Sequence, residues 1–132
     1  MTDRRRKVYD TRFFVALYYS KEKDEIRKIK LELIGSHSKF ISAITIYEIF
    51  KLTLQTDGKD VAKHRLRLLE KDFKVVNVDQ NIAQEAAIIW HKYRLPMADA
   101  IIAATCTILK ADCTTNDPHF ASISEIKTRW IL

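Results

Sequence analysis

Short apolar runs alternate with longer amphipathic ones along this chain, and that alternation sets the fold class before any chemistry is considered. Residues 7–9 form a strand candidate ending at Asp10, and behind it Phe13, Phe14, Ala16 and Leu17 recur at the spacing of one helix face. A charged helix is expected over 21–34, with Ile26, Ile29 and Leu33 as its apolar stripe and Gly35 as its stop. Phe40 and Ile41 make a second strand, followed by a helix through Ile44, Tyr47 and Leu52 to about Gln55 and a turn at Thr56-Asp57-Gly58. Over 59–71, Val61, Leu66, Leu68 and Leu69 are set against Lys63, His64, Arg65 and Arg67, an amphipathic helix. Residues 74–78 are rich in β-formers, and 81–94 are helical. Pro96 separates that helix from another over 97–110. A strand at 113–115, a turn at Asn116-Asp117-Pro118 and an apolar strand at 128–132 complete the chain. This order predicts a three-layer α/β class, a central parallel sheet with helices on both faces.

Composition keeps the picture to one domain, 1–132, because 132 residues at 47% apolar content supply a core without disulfides or a structural metal. Two glycines, two prolines and no low-complexity stretch leave no linker. Lys and Arg outnumber Asp and Glu by 23 to 17, and the net charge of +6 favours polyanions, nucleic acid first among them. The same excess also occurs in many soluble proteins that bind none. Cys106 and Cys113 lack CxxC spacing and have only His119 nearby, which argues against zinc and for two buried small side chains. The start MTDRRRK leads into a short strand rather than a secretory apolar region, and the run over 98–108 is broken by Asp99 and too short to span a bilayer. A cytoplasmic protein with no membrane association is expected.

Four acids change this picture most: Asp10, Glu48, Asp99 and Asp117. In a parallel sheet with crossover helices the strand-to-helix turns share the carboxyl edge, where ligands of open α/β sheets bind. Asp10, Glu48 and Asp117 follow strands and belong on that edge, while Pro96 restarts a helix with Asp99 in its first turn. Each acid also has an ordinary structural explanation. Asp10 and Asp117 suit helix N-caps, Thr45-Ile46-Tyr47-Glu48 fits a capping box, and Asp99 complements a helix dipole. Against this, Glu48 lies in a helical stripe with Ile44 and Leu52, and Asp99 stands between Ala98 and Ala100 ahead of Ile101 and Ile102. Carboxylates are costly in such places without a partner. Four gathered together would take up protons or capture a hard divalent cation such as Mg²⁺ or Mn²⁺, which points to metal-dependent chemistry on phosphates.

The motifs carrying these acids resemble those of the PIN domain, especially the small VapC-type ribonucleases of toxin-antitoxin pairs. Tyr9-Asp10-Thr11 is similar to the family's opening strand, and the run from Ser42 to Ile49 to its second acidic motif. The run from Leu95 to Thr105 resembles the third motif, and Thr114-Thr115-Asn116-Asp117-Pro118-His119-Phe120 the last. The resemblance implies a PIN-like fold in which Asp10, Glu48, Asp99 and Asp117 are the catalytic, metal-binding acids, with the Thr115 hydroxyl supporting the pocket. It further implies Mg²⁺ or Mn²⁺ as cofactor, an RNA substrate, a homodimer and, for the toxin branch, a small antitoxin partner. Where the family often carries Ser or Asn after the opening Asp-Thr, this chain has Arg12.

The activity expected is attack of an activated water on an RNA phosphodiester with no covalent enzyme intermediate. Asp10 and Asp99 are then direct ligands, Glu48 a ligand or water-positioning base, and Asp117 an outer or second-metal ligand. Arg4, Arg5, Arg6, Lys7, Lys63, Arg65 and Arg67 are candidates for the RNA backbone, or for ordinary solvated faces. Tyr18, Tyr19, Tyr93 and Trp90 suit base stacking or the core equally. Neither GxxxxGK[ST] nor GxGxxG is present, and a phosphoacceptor receiver would need an acidic pair where only Asp10 stands. His37, His64, His91 and His119 are expected at the surface or at caps, His119 near the pocket. The competing reading is a PIN-like module that binds RNA or protein without cutting.

Overall fold

The computed structural model describes residues 5–131. Strand β1, Arg6–Tyr9, is followed by helices α1, Thr11–Tyr19, and α2, Lys23–Leu33; then come β2, Ser38–Ser42, and α3, Ala43–Thr56. Helix α4, Lys59–Asp72, leads to β3, Lys74–Val76, and then to α5, Gln80–Tyr93, and α6, Met97–Leu109. The last elements are β4, Asp112–Thr114, α7, Pro118–Ala121, and β5, Thr128–Arg129. All strand pairs are parallel, in the order β3-β2-β1-β4-β5. This is the three-layer architecture that the alternation of strands and helices predicts.

The pleat of the two central strands divides the core. Val8, in register with Phe40 and Cys113, faces a cluster built from Ile82, Ile89, Ile102, Ala103 and Phe120 on α5, α6 and α7. Tyr9 and Ile41 point the other way, into Phe13, Phe14, Ile29, Ile49, Leu69 and Phe73 on or beside α1 to α4. Successive residues of a strand face opposite sides, so strands of three to five residues serve both cores. Cys106 and Cys113 are free and buried in the first cluster.

Boundaries differ from the expected ones where polar residues carry the structure. Ser38 and Lys39 extend β2 because ladder hydrogen bonds need no apolar side chain. Strand β3 stops at Val76 because the chain then turns so that the Asp79 side chain can accept from the Ile82 amide and cap α5. The turn at Asn116-Asp117-Pro118 opens the single helical turn α7, with Asp117 as its N-cap and Pro118 in its first turn. The final strand shortens to Thr128–Arg129, and the expectation for Leu132 lies outside the described residues. The capping box does not form: Ser42 caps α3 by accepting from the Ile44 amide, which leaves Thr45 inside the helix and fully buried. Among the described residues no helix is long and apolar enough to cross a membrane.

Candidate metal centre

Strands β1 and β4 lie side by side, yet β2 and β3 are laid down on one flank of the pair and β5 on the other. This reversal of strand order opens a crevice at their carboxyl ends. Asp10 leaves β1 into that crevice, and Thr115 and Asp117 leave β4 into it.

Asp10 is 2% exposed and fully engaged: Oδ1 accepts from the Thr11 amide at 2.8 Å and Oδ2 from the Thr115 hydroxyl at 2.7 Å. Thr115 Oγ1 in turn accepts from the Asp117 amide at 2.9 Å, so one hydroxyl fixes the strand ends that carry two of the acids. Asp117 caps α7, its Oδ1 accepting from the His119 amide at 2.9 Å ahead of Pro118 in the first turn. Asp10 likewise caps α1. The ordinary capping role and membership of the cluster therefore coexist in both residues.

Asp99 lies in the first turn of α6. His119 Nδ1 lies 3.1 Å from Asp99 Oδ2 and 3.2 Å from Asp117 Oδ1, which places a proton donor between two carboxylates. Arg12 Nε is 3.5 Å from the other Asp117 oxygen. Glu48 sits in the second turn of α3, half-buried, and its Oε1 is 2.5 Å from Thr11 Oγ1. The single Thr11 proton goes to the Glu48 carboxylate, the stronger acceptor, with Thr45 Oγ1 as the alternative acceptor 3.3 Å away.

The acids act on one another electrostatically. Burial pushes the Asp10 carboxyl up to about 6; the Thr115 hydrogen bond opposes this, and the charges of Asp99 and Asp117 add to it. Asp99 is raised by burial, then by Asp117 and Glu48, with His119 acting against them. Negative charges crowded in this way, carried on oxygen donors, match what a hard divalent cation needs. One donor atom each from Asp99, Asp117 and His119 lie within 4.8 Å of one another. Asp10 joins this group through Thr115, and Glu48 stands at the rim beside Thr11. The residues present fit Mg²⁺ or Mn²⁺.

Three residues of this network were not singled out as site residues from the sequence: Thr11, Arg12 and His119. Thr11 and Arg12 lie in the turn after Asp10, and His119 is two residues beyond Asp117, so adjacency to an acid at a helix start was the available signal. The other histidines divide. His64 and His91 are exposed, as expected, whereas His37 is largely enclosed beside Tyr9 and Glu32. Several candidate RNA-binding cations are committed elsewhere. Lys7 pairs with Glu32 at 2.9 Å, and Arg65 donates to Tyr19, Thr53 and Asp57 while lying 4.3 Å over the Tyr18 ring. Arg6 bonds the Leu109 carbonyl, and the amino end of β1 lies at the edge of the sheet away from the acids. Lys63 and Arg67 remain exposed, and Arg4 falls outside the described residues.

Solved structures of similar fold include a toxin-antitoxin complex from Klebsiella pneumoniae, at 24% identity and TM-score 0.75, covering 96% of this chain and 99% of that one. VapBC2 from Rickettsia felis, bound to a DNA fragment from its promoter, gives 13% identity and TM-score 0.78 with 94% and 97% covered. Mycobacterium tuberculosis VapC20, a sarcin-ricin loop cleaving toxin, gives 18% identity and TM-score 0.73 with 92% and 98% covered. No curated protein sequence matches the chain. The model of the PIN domain matches residues 7–126, which takes in all four acids and every strand but the last. The chain belongs to the PIN domain family.

Proposed function

We propose that the chain is a divalent-metal-dependent endoribonuclease, one nuclease domain over 1–132, acting in the cytoplasm as the toxin of a toxin-antitoxin pair. The observation that carries this is the meeting of Asp99 and Asp117 around His119 in a PIN-family chain, with Asp10 tied to Asp117 through Thr115 and the Glu48 charge acting on Asp99. Solved relatives of this fold whose names identify them as toxins, one of them an RNA-cleaving toxin, support the same reading.

Asp99 and Asp117 would hold the ion, with Asp10 completing its surroundings from the floor of the crevice. When bound, Mg²⁺ or Mn²⁺ supplies Lewis acidity, neutralising charge on a phosphodiester and easing deprotonation of water. Thr115 keeps Asp10 aimed and favours its ionised form. Glu48, held at the rim by Thr11, is placed to orient a water for in-line attack on an RNA phosphodiester. His119, 54% exposed and standing between the two acids, would either join the ion's ligands or turn out toward solvent. An antitoxin and a second copy of the chain are the protein partners of this reading. An apolar groove of about 420 Å³ between α5 and α6, with Trp90 and Met97 exposed at its sides, offers the kind of surface a partner helix uses.

The test is cleavage of a structured RNA mixture with Mg²⁺, with Mn²⁺ and with EDTA, alongside Asp99→Asn. Metal-dependent cuts that vanish in the variant are expected. Cuts that persist in EDTA or in the variant would overturn the assignment, and a protein that binds RNA but never cuts it would be the non-catalytic module.

A further inference from the structure

Beside the acids runs a cleft of about 400 Å³ that the four-carboxylate site does not use. It lies between α1, the start of α2 and the turn from β4 to α7, and is lined by Arg12, Val15, Tyr19, Ser20, Glu25 and Asn116. Its volume falls within the roughly 300–1,000 Å³ of small-ligand clefts. Arg12, Val15 and Tyr19 recur at i, i+3 and i+7, so they form one stripe of α1, about 10 Å long at the helical rise, leading away from Asp10.

Each end of the stripe is chemically specific. At the acid end, Arg12 commits only its Nε, to Asp117; its side chain is 51% exposed, and its terminal nitrogens have no other partner among the described residues. That is a guanidinium held by one edge with its fork presented outward, the geometry that binds a phosphate. At the far end, Tyr19 is locked rather than loose. Its hydroxyl donates to Asp57 at 2.6 Å and accepts from Arg65 at 2.7 Å, so the ring is a fixed aromatic wall. Between them stand Asn116, exposed, and Glu25, half-buried, whose side chains make no hydrogen bond or ion pair among the described residues. They offer an amide and a carboxylate with open valences to anything seated in the cleft.

We propose that this cleft seats the nucleotide adjoining the scissile bond, with Arg12 holding its phosphate, the Tyr19 ring packing against its base, and Glu25 with Asn116 reading the base edge. An acceptor-only carboxylate selects a base that presents adjacent N–H donors, which guanine does through N1 and N2. The inference rests on the ribonuclease reading and adds to it a positional preference. Arg12 is a positioning residue here, not a participant in the chemistry.

The experiment measures binding and cutting separately. Fluorescent single-stranded RNAs, identical but for the base next to the cut, are titrated against Asp99→Asn protein alone and combined with Arg12→Ala, Asn116→Ala or Glu25→Gln. Kinetics are then run in the native background with Mn²⁺, and circular dichroism checks folding. Arg12→Ala is expected to weaken binding about tenfold and to lower the salt slope by about one. In kinetics it raises KM with little change in kcat. Glu25→Gln and Asn116→Ala are expected to flatten the guanine preference while the melting-temperature rise caused by Mn²⁺ stays as in the native chain. If native protein cuts RNA but all three variants keep its KM and base preference, the cleft is not the nucleotide seat and the ribonuclease reading stands. If Arg12→Ala alters only the Mn²⁺ shift, Arg12 merely neutralises Asp117 and the proposal falls. If native protein neither binds nor cuts any RNA, both readings fall together.

Discussion

Asp99 stands in the first turn of α6 with Asp117 and Glu48 near enough for their charges to act on it. Burial and the neighbouring acids raise it above the ordinary carboxylate range, so at neutral pH the folded protein carries its charge at a cost. In EDTA at pH 7.5, Asp99→Asn is therefore expected to melt at a higher temperature than the native chain. Millimolar Mn²⁺ should reverse that order, because only the native chain gains from binding. Thermal melts of both proteins with and without Mn²⁺ check both signs together. Thr115→Val removes one donor to Asp10 and one acceptor from the Asp117 amide, and urea unfolding should show a loss of about 1–3 kcal/mol. At this scale the sequence was informative about charge and silent about company. Glu48 and Asp99 stood out because carboxylates among Ile44, Leu52, Ala98 and Ala100 needed a reason, and Asp10 and Asp117 because each follows a strand where a helix begins. That His119 would lie between two of them depends on where α7 meets α6, which no local pattern encodes.

Among the elements, helix ends decided most of what local patterns predicted well or poorly. Pro96 and Pro118 marked helix starts correctly, since proline lacks the amide that a first turn leaves unbonded anyway. The ends of α5 and α6 fall within a residue of the expected ones, and there Arg94 at φ 58° and Lys110 at φ 53° adopt left-handed backbones that glycine usually supplies. Arg94 recovers something by lying 4.5 Å over the Trp90 ring. Lys110 is exposed and has no such contact, and Lys110→Gly should stabilise by about 1 kcal/mol, a rise in Tm of roughly 3–5 °C. The contact of β1 with α2 carries a pH dependence of its own. Burial alone would raise Glu32, but hydrogen bonds from Tyr9 and Lys7 hold it below the usual range. Burial, then the Lys7 charge, hold His37 below its usual value. A depressed group stabilises above its unfolded pKa and loses that contribution as pH falls through the folded value; for both residues acid is therefore destabilising. Asp10, raised to about 6, acts in the opposite sense, losing its contribution as pH rises through that value. Comparing the native chain with His37→Asn isolates the first effect: the variant should lack part of the stability decline between about pH 7 and 5, the window below the ordinary histidine value.

For the molecule as a whole, the alternation of short strands with helices predicted the layers, because a strand buried on both faces and a helix with one apolar stripe fit together in few ways. It could not order the strands, since β1 pairs with both β2 and β4 through backbone groups common to every residue. The two cores share the pleat of β1 and β2, and neither side can melt while the other stays formed. The two tryptophans lie on opposite sides of the sheet, Trp130 against the Tyr9 cluster and Trp90 on α5. Single-tryptophan variants Trp90→Phe and Trp130→Phe should thus give one urea midpoint each, coincident with that from circular dichroism; separated probes within either variant would contradict the shared core.

Strand β4 slots in next to β1 although residues 10–111 intervene, and this gives the molecule a clock. A chain emerging from the ribosome, with its early segments folding first, has Asp10 and Glu48 long before it has Thr115 or Asp117. The crevice between β1 and β4 cannot exist until the late segment arrives. The metal centre therefore stays incomplete in the nascent chain until the segment that carries Thr115 and Asp117 has been made.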